Sequence, residues 1–165
     1  MSTTTTHVAC AADVPELVVL MRAYCDSSDE PHVAKPSDDD LRSLCNKILA
    51  DPEREGVYVL ARRSTDGDTS PVGFASLFWS WSFTSHPGRQ AILSDLYVSP
   101  SARGCGVAGV LIHACEEQAR QRGHVRSMIW QTATDNHAAQ RAYQRLGLTP
   151  SPCADYELVL FPKIK

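Results

Sequence analysis

The chain has 165 residues, 43% of them hydrophobic and 21% charged, with a formal net charge of −3. That length fits one domain large enough to bury a core without a metal or disulfide staple, and the charge balance gives no global basic footprint for nucleic acid. No run approaches the ~20 apolar residues of a membrane span. Met1 to Thr6 has neither the charged region nor the apolar region of a signal peptide. The six cysteines, Cys10, Cys25, Cys45, Cys105, Cys115 and Cys153, show no C-x-x-C spacing, and with the histidines they form no metal-ligand set. The chain therefore reads as cytoplasmic, with free and mostly buried thiols, no metal and no membrane or nucleic-acid partner.

In chain order, residues 1–6 read as a disordered N-terminus and 7–165 as a single domain. His7 to Cys10 suits a short strand. Asp13 reads as the N-cap of a helix with Pro15 and Glu16 in its first turn, and Leu17, Leu20, Met21 and Tyr24 follow at helical spacing. Ser27 to Pro31 ends it as a polar, acidic loop. Ser37 caps a second helix, with Asp38, Asp39 and Asp40 in its first turn and Leu41, Leu44, Cys45, Ile48 and Leu49 on one face. The acidic triplet reads as a helix start rather than a binding site.

The period then changes. Val57 to Ala61 reads as a strand, Ser64 to Pro71 as a turn with an Asp-Gly core, and Val72 to Trp79 as the returning strand of a hairpin. Ala91 to Val98 is another strand. A loop rich in small residues, Ser99 to Gly106, leads into a helix with Val107, Val110, Leu111, Ala114 and Cys115 on one face, fading at Gly123. Ser127 to Thr132 is a strand. Asp135 and Asn136 open a last helix carrying Ala139, Ala142, Tyr143 and Leu146, with Gly147 as its C-cap. Asp155 to Phe161 is a final strand. The order predicts a mixed α/β (α+β) fold.

The chemistry concentrates in Arg103-Gly104-Cys105-Gly106-Val107-Ala108-Gly109, between a strand and a helix. Glycines let the backbone approach a ligand, and the helix N-terminus offers unpaired N–H groups and a positive dipole end. That combination suits a phosphate or pyrophosphate, with Arg103 adding a charge-assisted contact; without a ligand it is a tight strand-to-helix turn. Gly104, Gly106 and Gly109 also match the dinucleotide fingerprint G-x-G-x-x-G. However, that fingerprint directly follows the first strand of a βαβ unit and has an acid ~20 residues on. Here a loop intervenes and the region of Arg126 holds no acid. A nicotinamide oxidoreductase is thus a minor reading.

Residues 93–147 resemble the GCN5-related N-acetyltransferase (GNAT) family. Leu93 to Pro100 is similar to its central strand. Arg103, Gly106 and Ala108 match its Q/R-x-x-G-x-G/A acyl-CoA signature, and Asn136, Ala142-Tyr143 and Leu146-Gly147 match its second block. The polyamine and small-amine branch, with its D-L-Y-V strand, and the lysine-type members both resemble the chain. The resemblance implies a central mixed twisted sheet of about six to seven strands flanked by about four helices. It further implies transfer of an acetyl group from acetyl-CoA to a primary amine of a small molecule or lysine-like acceptor. Leu96, Tyr97 and Val98 would carry the pantetheine arm, with Leu96 and Val98 bonding it as an added strand. Gly104, Cys105, Gly106, Val107, Ala108 and Gly109 would cradle the pyrophosphate. Asn136, which is also a plain N-cap, would contact the pantetheine arm. Tyr143, otherwise a packing residue, would protonate the leaving thiolate. A homodimer is common in the family and has no signature here.

The polyamine branch carries a Glu one position before the Asp of D-L-Y-V, and here that position is Ser94. Serine is not a base. Asp95 reads as structural, because alternation turns it to the other sheet face. Water linked to backbone carbonyls or to Ser94, or a distant residue such as Glu30 or His86, would then take the proton, and an acceptor of low pKa would need no base. Attack within a ternary complex is favoured over a covalent route through Cys105. Glu30, Trp79 and Trp81, with Asp29 and Phe83, would suit a cationic acceptor. The absent Glu also leaves open a non-catalytic acyl-CoA-binding or sensor domain on the same fold.

Overall fold

The computed structural model describes residues 3–27, 35–65, 68–82 and 87–151. They fall into two compact units, residues 1–131 and 132–165. The elements of the first are β1 (Thr3–Val8), α1 (Val14–Ser27), α2 (Asp38–Ala50), β2 (Gly56–Thr65), β3 (Asp68–Ser82), β4 (Gly88–Val98), α3 (Val107–Gln121) and β5 (Val125–Ile129). The second holds α4 (His137–Arg145). The strands make one sheet in the order β1-β2-β3-β4-β5, antiparallel except for the parallel β4–β5 pair. This is the mixed α/β architecture the pattern predicts, with five strands among the described residues against six to seven expected. The expected strand at Asp155–Phe161 lies outside the described residues.

Alternation sorts the sheet into two apolar faces. Tyr58 and Leu60 of β2, Phe74 of β3 and Tyr97 of β4 form one buried cluster with Leu17, Met21 and Val18 of α1 and Leu41, Cys45 and Ile48 of α2. The intervening residues Val57, Val59, Ala61, Ala75 and Leu77 are equally buried on the opposite face. There α3 packs, with Val107, Leu111, Ile112, Cys115 and Ala119 buried at helical spacing. Gly73 sets the closeness of that contact. A Cβ on it would lie 2.5 Å from the Tyr97 carbonyl oxygen and 3.3 Å from Leu111 Cδ1.

Three sequence expectations are corrected. Thr3–Thr6 is not a frayed end, because it pairs residue by residue with Arg63 and its neighbours on β2, which satisfies its backbone groups. Asp13 does not cap α1 from outside. It ends a 3-10 turn, Ala11–Asp13, and its carboxylate accepts the Cys10 N–H at 2.9 Å. The thiols are not mostly buried either: Cys45 and Cys115 are, Cys25 is intermediate, Cys10 and Cys105 are exposed, and these five are free. The second helix starts as expected, with Ser37 and Asp40 capping reciprocally. Its Leu44, placed on the apolar face, is instead 44% exposed.

At the β1–α1 corner, Arg62 bonds Asp13 at 3.1 Å and also pairs with Glu16, and His7 lies 3.1 Å from Asp13. Burial works against ionisation of Asp13. The hydrogen bonds from Cys10, His7 and Arg62 outweigh it and hold its pKa at about 2. No helix among the described residues is long and apolar enough to cross a membrane.

Candidate functional site

The centre of the first unit is where β4 loses its neighbour. β5 pairs with β4 only from Arg89 to Ile92, whereas β4 continues to Val98. On the other side, the ladder with β3 closes with the Ser99 N–H on the Val72 carbonyl at 2.8 Å. In an antiparallel pair the bonded residues alternate. Val72–Ser99 and Phe74–Tyr97 therefore turn towards each other, and the N–H and C=O groups of Leu96 and Val98 point to the open side. Among the described residues no strand pairs with them on that side, which leaves an edge an extended ligand can add to. Arg103 reaches back over it, its Nε donating to the Val98 carbonyl at 3.1 Å.

The chain leaves this edge through a 3-10 turn, Pro100–Ala102, anchored by the buried Ala102. Gly104 and Gly106 follow at φ 75° and 79°, in the left-handed region. A Cβ on either would meet nothing within 4 Å, so dihedral angle rather than space demands glycine there. Gly106 is the N-cap of α3. It offers no side-chain cap, and the first turn carries no acidic residue. The first helical bond is the Val110 N–H to the Gly106 carbonyl at 3.2 Å. The amides from Gly106 to Gly109 thus have no intrahelical acceptor, at the positive end of a helix buried on one face. An open strand edge running into an uncapped helix start fits a long ligand with an anionic group partway along it.

Arg63 of β2 belongs beside this loop and was not anticipated. Its Nη1 donates to Cys105 Sγ at 3.3 Å, from 42 positions away. Only the fold brings the two together, and no local pattern signals it.

The register also changes the reading of Ser94 and Asp95. Leu77 opposes Leu93 while the next residue, Ser76, opposes Asp95, so Ser94 is the extra residue of a β-bulge. Plain alternation, which would separate Ser94 from Asp95, does not hold. The Ser94 and Ser76 hydroxyls both lie against the Asp95 carboxylate. Burial, opposed by those two hydroxyls, pushes the Asp95 pKa up. Two successive polar residues in an apolar strand were the available signal of this phase slip.

The two tryptophans expected around an acceptor differ in exposure. Trp79 is 9% exposed, with its Nε1 donating to the Pro52 carbonyl at 2.8 Å and Arg122 stacked 4.1 Å from the ring centroid. It is a packing residue. Trp81 is 75% exposed and carries Arg89 at 5.3 Å. They pair with Ala91 and Arg89, which precede Ser94 on β4 by three and five residues. Glu30, Asp29, Phe83 and His86 lie outside the described residues.

In the second unit, Asn136 Oδ1 accepts the Ala139 N–H at 3.1 Å, so it caps α4. Gly147, at φ 77°, ends the helix, with its own N–H on the Gln144 carbonyl and the Leu148 N–H on Tyr143. Tyr143 is half-buried, and burial pushes its phenol pKa up. No group of three metal-ligating side chains occurs among the described residues.

Comparison with known proteins narrows the chemistry. A family model described as "Acetyltransferase (GNAT) family" matches residues 19–148. An uncharacterised N-acetyltransferase of Methanocaldococcus jannaschii is 30% identical over 94 residues, 53% of this chain and 41% of its own. A second, from Bacillus subtilis, is 36% identical over 76 residues, 46% of this chain and 50% of its own. The chain thus matches about half the length of these curated relatives or less. Among solved structures, aminoglycoside N-acetyltransferase AAC(6')-Iy in complex with CoA superposes with a TM-score of 0.78 at 20% identity, over 98% of this chain and 97% of that one. A predicted acetyltransferase with acetyl-CoA from Clostridium acetobutylicum does so at 0.70 and 19% identity, over 96% and 97%.

Proposed function

The chain belongs to the acetyltransferase (GNAT) family, and we propose that it works as a single domain transferring the acetyl group of acetyl-CoA to a primary amine of a small molecule or lysine-like acceptor. One observation carries this reading: the β4 edge at Leu96 and Val98, unpaired among the described residues, runs into the uncapped N-terminus of α3. Each residue of that arrangement has work to do. Leu96 and Val98 bond the pantetheine amides as a neighbouring strand would, with Tyr97 buried between them as the anchor. The amides from Gly104 to Gly109 hold the pyrophosphate, with Arg103 supplying a full positive charge. Cys105 contributes its backbone, and Val107 and Ala108 the helix turn behind it.

Thioester aminolysis needs a neutral amine and a protonated leaving group. A phenol kept protonated by burial, as in Tyr143, is suited to donating that proton to the CoA sulfur. Asn136 adds its side-chain amide to the pantetheine arm while its carbonyl caps α4. Direct attack on the thioester in a ternary complex needs no residue to carry the acetyl group. The half-buried carboxyl of Asp95 and the exposed ring of Trp81 suit a cationic amine as acceptor.

CoA release measured over a panel of polyamines, aminoglycosides, amino acids and lysine peptides tests the reading. Turnover with at least one amine is expected, with Tyr143→Phe lowering it ~10²-fold or more while acetyl-CoA binding persists. Acetyl-CoA binding with no release for any acceptor would instead mean a non-catalytic binder, and a homodimer would show in the molecular mass in solution.

A further inference from the structure

Acetyl transfer to an alkylamine leaves one proton unassigned. At neutral pH the amine is an ammonium, because its pKa is about 10. Something must accept a proton before nitrogen can attack. The position that carries a glutamate in the polyamine branch is Ser94 here, and serine alone has no affinity for that proton.

The strand geometry supplies a partner. The bulge in β4 places Ser94 and Asp95 opposite the single residue Ser76. Ser94 is exposed at the point where β4 has just parted from β5. Asp95 is half-buried behind it, on the face that α1 and α2 cover. In register with it across β3 and β2 are Ser76, 1% exposed, and Tyr58, 0% exposed. The hydroxyls of both are buried without a hydrogen-bond partner of good geometry. On that face the Ser76 hydroxyl lies against the Asp95 carboxylate and the Tyr58 hydroxyl beside the Cys45 thiol. Among the described residues the groups facing Asp95 are Ser94 on its own strand, Ser76 on β3, Tyr58 on β2 and, on α1, the half-buried thiol of Cys25. None is a cation. A carboxylate so placed binds a proton more tightly than one in water, since burial disfavours its charge.

We propose that Ser94 and Asp95 form the proton acceptor for the amine, the N–H proton of the acceptor passing to Ser94 Oγ as the Ser94 hydroxyl proton passes to the Asp95 carboxylate. The balance closes. An ammonium becomes a neutral amine, the carboxylate becomes a carboxylic acid, and Ser94 ends as it began. The acid later returns its proton to solvent through the same exposed hydroxyl. Asp95 acts through Ser94 and is a positioning residue, with Ser76 and Tyr58 as the dipoles around it. The inference rests on the acetyltransferase reading above.

The test uses Asp95→Asn, Ser94→Ala and Ser94→Thr in the full chain. Each is assayed for kcat/KM against pH with the fastest alkylamine of the panel and with the alkoxyamine of the same skeleton, which is neutral at pH 7. With the alkylamine, Asp95→Asn and Ser94→Ala should each lose ~10²-fold or more, and the Asp95→Asn profile should rise only where the amine itself deprotonates. With the alkoxyamine both should stay within about threefold of wild type, because no base is needed. Ser94→Thr keeps the hydroxyl and should retain activity with both. Calorimetric titration with CoA should give unchanged affinity throughout. Equal losses with both acceptors, or no loss, would overturn the relay while leaving the acetyltransferase reading intact. Absence of transfer to any amine by the wild-type chain would overturn both.

Discussion

Gly106→Ala isolates the conformational demand of the helix start from everything else about it. Gly106 sits at φ 79°, and an added Cβ meets no atom within 4 Å. No overpacking term enters, so the cost is that of holding an L side chain in the left-handed region, ~1–2 kcal/mol. For a chain of this length ~1 kcal/mol corresponds to about 2–4 °C in Tm, so Gly106→Ala should melt about 2–8 °C lower. Gly106→Asn should recover much of that loss, because asparagine tolerates this region better than other residues. The strain can be relieved by rotating the peptide bonds on either side, which swings the first amides of α3 away from an anion. Stabilisation by saturating acetyl-CoA, which follows the ratio of ligand concentration to Kd, should therefore shrink for the Ala variant and largely return for Asn. Thermal and urea unfolding with and without acetyl-CoA measure both quantities. Equal costs for Ala and Asn would refute the conformational argument. A full stability loss with undiminished acetyl-CoA stabilisation would separate the glycine from the ligand.

Gly73→Ala should fail for the opposite reason: its Cβ would press to 2.5 Å on the Tyr97 carbonyl oxygen and against Leu111, costing ~1–3 kcal/mol in urea unfolding. Asn136→Ala should cost ~1 kcal/mol through loss of the α4 cap. Asn136→Asp should keep the cap but lose the amide donors, so a fall in acetyl-CoA affinity for Asp as well as Ala separates binding from capping. At the β1–α1 corner the folded pKa of Asp13 lies below its ordinary value, at about 2. Its contribution to stability is present above the ordinary carboxyl range and is lost as pH falls through about 2, so the stability difference between wild type and Asp13→Asn should narrow from pH 5 to pH 2 in denaturant titrations. Iodoacetamide at pH 8 should label exposed Cys105 and Cys10 well before Cys45 and Cys115, whose thiols burial pushes up to about 11 and about 12. Acetyl-CoA should protect Cys105 and leave Cys10 unchanged, read by peptide mass spectrometry.

What was legible in the sequence was whatever depends on neighbours a few positions apart. The reciprocal Ser37–Asp40 cap and the terminating Gly147 are local and stand where their spacing placed them, and the apolar stripe of α3 does so at Val107, Leu111 and Cys115, while Val110 is exposed and Ile112 takes its place. The glycine loop was legible for the same reason, since its dihedral demands come from the chain itself. Thr3–Thr6 was not, because a run of threonines becomes a strand only when an edge such as β2 is there to pair with it. Asp13 looked like a cap because the short turn before α1 has no periodic signature of its own.

The candidate site failed to be legible at the point where register decides chemistry. Alternation along Ile92-Leu93-Ser94-Asp95-Leu96 assigns each side chain to a face only if every residue opposes one partner, and at Ser94 that condition is broken. One extra residue moves Leu93 and Asp95 to opposite faces, turns the carboxyl towards Ser76 and Tyr58, and leaves Ser94 exposed at the opening of β4. The same slip coincides with the end of pairing to β5. A single irregularity thus serves two ends that a regular strand would set against each other. It frees the backbone edge at Leu96 and Val98 for an extended ligand, and it places a shielded carboxyl behind a solvent-facing hydroxyl a residue or two away. Deleting Ser94 would straighten β4 with Leu93 still opposite Leu77 and Asp95 still opposite Ser76, so the carboxyl would keep its face and lose only the solvent-facing hydroxyl beside it.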